Sequence, residues 1–255
     1  MNGDYIESLM ETGKRIDGRN LEEHRKISIE YDVSKNAEGS ARCRMGDTEV
    51  IVGVKMGIGD PYSDSPDEGT IIVTAELNPI ASPEFESGPP GTKATELARI
   101  VDRGIRESKA LDFKKLCIRK GEKIWMVYID IYAVNDGGNL VDAAVLASLA
   151  ALNKTRIPKV ENDKVVYGEF TNKTLKLEKM PILTTCYRIN GKILVDPNYK
   201  EEAIIDSRLS ISIFNGKIHA LQKGGDETLS LDEIKQMLDI AIKKEKELSK
   251  YLKWN

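Results

Sequence analysis

The stretch Ile129–Leu152, IDIYAVNDGGNLVDAAVLASLAAL, reads as a strand that passes through Asp136-Gly137-Gly138 into an Ala/Leu-rich helix over Asp142 to Asn153. Its longest uncharged apolar run, Ala143 to Leu152, is too short for the roughly 20 residues a bilayer needs. A helix this apolar must be covered by protein on most of its surface. The glycine pair allows two readings. A strand-to-helix junction of this kind can bind an anion on the free N–H groups of the first helical turn. It can equally be a tight turn and nothing more.

Short strands and turn signals surround this element. Ile27, Ile29, Tyr31 and Val33 alternate with Ser28, Glu30 and Asp32, the period-2 pattern of a half-buried strand. GSARCR and EVIVGVKM flank Met45-Gly46-Asp47-Thr48, a hairpin signal. LTTCYRI and KILV flank Asn190-Gly191, and LSISIF and KIHALQ flank Asn215-Gly216. Asn-Gly tolerates positive φ at both central positions, as a two-residue hairpin turn requires.

Helices are expected at Asp4 to Thr12, at Thr95 to Ala110 with Leu97, Ile100, Val101 and Ile105 on one side, and after the capping box Ser230-Leu231-Asp232-Glu233. Gly57 to Thr70 and Pro79 to Thr92 read as irregular loops, and the polar, Lys-rich stretch Asn153 to Pro181 as a linker. The chain is therefore α+β. Its expected organisation is an N-terminal helix and extension over 1–22, a first unit over 23–158, a connection over 159–181 and a second unit over 182–255 with the C-terminal helix.

The 255 residues carry 38 Lys+Arg and 41 Asp+Glu, a formal net charge of −3, with 40% hydrophobic and 31% charged residues. That length suits one large domain or two small ones. The near-balance of charge excludes a polybasic arm, an acidic tail and a disordered chain; nucleic-acid binding would have to come from a local patch. Three cysteines, Cys43, Cys117 and Cys186, lie far apart with no CxxC pair, which argues against a disulfide framework or a zinc site. With no basic, apolar leader at the start, a soluble protein of a reducing compartment is expected.

The chemistry-bearing residues are few. His24 and His219 lie in different halves with no partner motif, so a histidine-based active site is not expected. On the helix around ELARIVDRGIRESKALD, Arg99, Arg103 and Arg106 fall at i, i+4 and i+7, a stripe opposite the apolar face. Guanidinium forks along a stripe suit phosphate oxygens. Alternatively they pair with Glu96, Asp102 and Glu107 as a solvated ion-paired face. Glu201, Glu202 and Asp206 could build a metal or general-acid site, or simply a polar loop between strands.

Taken in order, RIDGR (Arg15–Arg19), GSARCRMGDTEVIVGV, ELARIVDRGIRESKALD, IDIYAVNDGGNLVDAAVLASLAAL and VDPNYKEEA (Val195–Ala203) resemble the RNase PH superfamily, and within it the non-catalytic ring subunits of the archaeal exosome. The resemblance covers nearly the whole chain. It implies two sheet-and-helix units in a pseudo-twofold arrangement, a fold of the ribosomal protein S5 domain 2 type.

It also implies a hexameric ring of three heterodimers, in which such a chain alternates with a catalytic RNase PH-type subunit. RNA-binding cap proteins accompany the ring, and single-stranded RNA enters its channel for phosphorolysis in the 3′ to 5′ direction. Arg99, Arg103 and Arg106 are then RNA-binding residues in the cytoplasm. Catalytic members carry GTR or GSR after the Asp-Gly to hold phosphate, where this chain has Gly138-Asn139-Leu140. Their two acidic positions align with Ala203 and Arg208.

The expectation is accordingly a chain with no catalytic residues, metal or cofactor of its own, inorganic phosphate and Mg2+ being used by the partner. The alternative is a self-sufficient phosphorolytic exoribonuclease using Asp206 with Glu201 or Glu202.

Overall fold

The computed structural model describes residues 3–253. In chain order the elements are α1 (Gly3–Glu11), β1 (Ile27–Tyr31), β2 (Gly39–Met45), β3 (Thr48–Gly59), β4 (Thr70–Glu76), α2 (Thr92–Ser108), β5 (Cys117–Arg119), β6 (Lys123–Asn135) and α3 (Leu140–Lys154). There follow β7 (Arg156–Glu161), β8 (Lys164–Thr174), β9 (Ile182–Ile189), β10 (Lys192–Val195), α4 (Tyr199–Glu202), β11 (Ser207–Phe214), β12 (Lys217–Gly225) and α5 (Leu231–Leu248). Among the described residues, no helix is long and apolar enough to cross a membrane.

The first sheet runs β1-β2-β3-β6-β4, with β5 paired to the start of β6; only β4 and β6 are parallel. A parallel pair needs a crossover, and α2 lies in the one that joins them. The second sheet is antiparallel, β10-β9-β11-β12. Helices α2 and α3 lie between the sheets: α3 packs on β2 and β3 and also touches β9, while α2 packs on β4 and on β11 and β12. The second sheet is covered on both faces. Thr185 and Ser210 face α3, whereas Cys186, Leu209 and Ile211 pack with Met237 and Ile240 of α5. Strand alternation divides the two faces.

Every residue of α3 but Lys154 is buried, as its all-round apolar sequence requires. Both Asn-Gly turns form, with φ of 45° and 72° at Asn190 and Gly191 and of 51° and 70° at Asn215 and Gly216. The Ser230/Glu233 capping box closes at the start of α5. Two expectations need correction. The loop expected over Gly57 to Thr70 is shorter, because Gly57 and Gly59 continue β3 against Met126 and Ile124 of β6 and Thr70 begins β4. The stretch expected as a linker, Asn153 to Pro181, contains the antiparallel hairpin β7–β8. Most of β8 is solvated on both faces, so no alternation marks it in the sequence.

Candidate nucleic-acid interface

Helix α2 starts after Pro89-Pro90-Gly91 and ends at Lys109, whose left-handed conformation (φ 56°) turns its N–H back to Arg106 O. Leu97, Ile100, Val101 and Ile105 are buried, which turns the arginine stripe outward. Arg99 and Arg103 are exposed. Arg99 forms no hydrogen bond or ion pair among the described residues, and Arg103 Nη1 donates to Gln222 Oε1 of β12 at 3.3 Å. The two side chains separate a groove of about 460 Å³, reaching Val73 and Ala75 of β4, from one of about 650 Å³ that extends to Thr92 and Gln222.

Arg106 differs. It grips Asp102 with Nη2 at 2.8 Å and Nε at 3.1 Å, donates to Ile71 O at 3.2 Å, and stacks 5.5 Å from the Phe113 ring. The ion-paired reading of the stripe therefore holds for Arg106 and not for Arg99 or Arg103. Glu96 is held by Arg208 Nη2 of β11 at 2.7 Å.

Behind the stripe, a cavity of about 320 Å³ is lined by Glu96, Asp136, Leu140, Glu202 and Arg208 with apolar neighbours such as Phe85. The α3 N-terminus opens beside it, and its anion-binding capacity is used internally: Asn139 N–H donates to Glu202 Oε2 at 2.9 Å. Burial pushes the Glu202 carboxyl above its usual range. Gly138 must be glycine, because its φ is +96° and a Cβ there would lie 2.6 Å from Pro197 O. That close approach seats the Asp-Gly-Gly turn on the loop before α4.

The three carboxylates considered as an acid site are engaged separately. Glu201 is fully buried, accepting from Arg15 Nε at 3.1 Å and pairing with Arg15 Nη2. Glu202 caps α3 and accepts from Tyr187 OH at 3.3 Å. Asp206 Oδ2 accepts from Asn190 N–H at 2.9 Å, holding the β9–β10 turn. Ala203 ends α4, and Arg208 is spent on Glu96. Among the described residues no group of three or more His, Cys, Asp or Glu side chains could hold a metal ion.

A buried polar network beneath the turn escapes sequence reasoning. Asp196 accepts from Arg25 Nη2 at 2.6 Å, Arg25 N–H at 2.7 Å and Arg19 Nη1 at 3.0 Å, while Arg25 also donates to Gly137 O and Gly138 O. Asn139 Nδ2 bridges Asp196 and Asp142, and Asp142 accepts from the Thr185 hydroxyl at 2.8 Å and its N–H at 3.1 Å. Its signals in the sequence are the RIDGR arm, which carries Arg19, and the Val195-Asp196-Pro197 segment, which carries the shared carboxylate.

Burial pushes the Asp142 carboxyl up to about 7, against 3.8 for a free side chain. The unfolded chain thus ionises Asp142 at lower pH than the folded one does. Its contribution to stability falls as pH rises from about 4 to about 7 and stays low above that. An Asp142→Asn variant keeps one acceptor for the two N–H donors and turns its amide toward Thr185 Oγ1. The stability gap between wild type and variant, from denaturant midpoints, is expected to shift in the variant's favour over that pH window; a gap independent of pH would contradict the assignment.

Two family models match this chain: the 3′ exoribonuclease family domain 1 over residues 23–158 and its domain 2 over 179–244. The chain belongs to the 3′ exoribonuclease, or RNase PH, family. Within it, exosome complex component Rrp42 of Methanosarcina acetivorans is 47% identical over 96% of this chain and 91% of that protein. The Methanothermobacter thermautotrophicus Rrp42 is 45% identical over 97% and 92%. A chain in the structure of the Archaeoglobus fulgidus exosome with RNA bound to the active site superposes with a TM-score of 0.90 at 43% identity, covering 97% of this chain and 96% of that one. Rice Rrp46, 20% identical with a TM-score of 0.71, shares the fold. These likenesses bear out the RNase PH-like α+β fold.

Proposed function

We propose that this chain is a non-catalytic ring subunit of an archaeal exosome core. It alternates with a catalytic RNase PH-type subunit in a hexamer of three heterodimers, under RNA-binding cap proteins. It guides single-stranded RNA with Arg99 and Arg103 and helps shape the partner's phosphorolytic site. Arg106, fixed by Asp102 and Ile71 O, supports the helix that presents them. Phosphate and Mg2+ are the partner's, and the complex works in the cytoplasm.

One juxtaposition carries this reading: two arginines that form no ion pair among the described residues face open grooves beside a cavity where Leu140 and Arg208 stand and Glu202 already occupies the helix N-terminus. A phosphoryl-transfer site stabilises charge developing on phosphate oxygens, and an apolar side chain cannot supply that. The test is phosphate-dependent RNA degradation by this chain alone, by an RNase PH-type partner alone, and by the mixture. Activity of the mixture with none from this chain is expected, together with a native mass of three copies of each. Nucleoside diphosphates released by this chain alone would overturn the reading.

A further inference from the structure

The acidic neighbours of the arginine stripe decide how much of its charge is available. Residues at i and i+3 are neighbours on a helix surface, so Glu96 and Asp102 flank Arg99 on either side. Each is occupied by a different cation: Asp102 by Arg106, four residues on, and Glu96 by Arg208, which reaches across from β11. Arg208 is well placed for this. Its side chain is only 15% exposed, and it lies over Gly224, where a Cβ would come within 2.7 Å of its Nε. Glu96 lines both the cavity that Arg208 lines and the groove that Arg99 lines.

We propose that Arg208 is a positioning residue for RNA: by taking up the Glu96 carboxylate from the second unit, it leaves the Arg99 guanidinium free for a nucleic-acid phosphate. The proposal rests on the RNA-guiding reading above and adds a residue that does not itself touch RNA. Without Arg208, Glu96 turns to Arg99 and cancels one phosphate contact.

The test is titration of a fluorescent oligoadenylate with the chain assembled with its RNase PH-type partner, over a range of salt concentrations. Arg208→Ala is expected to weaken binding about three- to fivefold, the scale of one exposed ion pair, and to flatten the dependence of log K on log salt by about 0.7. Arg208→Ala with Glu96→Gln restores both, since no carboxylate is left to bind Arg99; a purely structural role for Arg208 would not be rescued this way. Glu96→Gln alone, which keeps Arg208 in place, changes neither.

Wild-type binding by Arg208→Ala, failure of the double variant to restore affinity and slope, or a steeper slope for Glu96→Gln alone would each overturn the proposal. If Arg208→Ala does not assemble, Arg208→Gln, which removes the charge and keeps most of the side chain, is measured in its place: a flattened slope that Glu96→Gln restores supports the proposal, and a wild-type slope overturns it. Wild-type affinity in a variant with both Arg99 and Arg103 reversed would instead remove the RNA reading on which the proposal rests.

Discussion

Reversing Arg99 and Arg103 together to Glu is expected to weaken single-stranded RNA binding by the assembled complex about 10²-fold near 0.1 M salt. Each cation on a single strand's phosphates contributes about 0.7 to the slope of log K against log salt, so two lost contacts flatten it by about 1.4. The added negative charges then repel the same phosphates. The fold should survive, because both side chains are exposed and their only described polar partner is Gln222. Arg106→Ala serves as the contrast: it removes the Asp102 pair and the bond to Ile71 O, is expected to lower stability slightly, and, by releasing Asp102 beside Arg99, flattens the slope by at most about 0.7, half the effect of the double reversal. Fluorescence anisotropy across a salt series measures both. Unchanged affinity in the double variant would refute the role assigned to the stripe.

Asp196→Ala is expected to cost about 3–5 kcal/mol, the scale of an ion pair broken from one side in the interior. Asp196 is fully buried and is the shared acceptor of Arg19, Arg25 and the Arg25 N–H, so its loss strands the Arg25 guanidinium with only the Gly137 and Gly138 carbonyls, while Arg19 keeps its pair with Asp17 at 2.8 Å. Burial works against the Asp196 charge, but the hydrogen bonds and charge of Arg25 outweigh it and hold the carboxyl below its usual range. Its stabilisation is thus present at neutral pH and is lost as pH falls through that lowered value.

A second cost comes from the backbone, since Asp196 sits at φ 48°, a conformation Asp and Asn tolerate far better than Ala. Asp196→Asn should therefore lose less than Asp196→Ala. At about 2–4 °C per kcal/mol for a chain of this size, the Ala variant should melt about 10 °C or more below wild type. Equal melting temperatures for wild type and Asp196→Ala would show that the arm is held by other contacts.

Much of the fold is written in local pattern. The Asn-Gly pairs specify hairpins because few other residue pairs accept positive φ twice in succession. The apolar run of α3 specifies a helix enclosed by protein, and the spacing of Arg99, Arg103 and Arg106 specifies a common stripe. These signals act over one to four residues, within reach of a single element's geometry. The β7–β8 hairpin was illegible for the same reason: with β8 largely solvated on both faces, burial imposes no period on its residues.

The site divides in the same way. Spacing alone puts three arginines on one face, but it leaves open which of them is free. Asp102, on the same helix, takes up Arg106, and the rest is settled by partners brought from distant parts of the chain: Arg208 on Glu96, Gln222 beside Arg103, Ile71 O on Arg106. The sequence likewise places Glu201, Glu202 and Asp206 within six residues, yet they turn to Arg15, to the α3 N-terminus and to the Asn190 turn. Local pattern sets each element and the face it presents, because backbone sterics and burial act residue by residue. Which of Arg99, Arg103 and Glu96 keeps its charge free is decided by the packing of the two sheets around α2 and α3, because an ion pair forms wherever the fold brings two side chains within reach, whatever their separation along the chain.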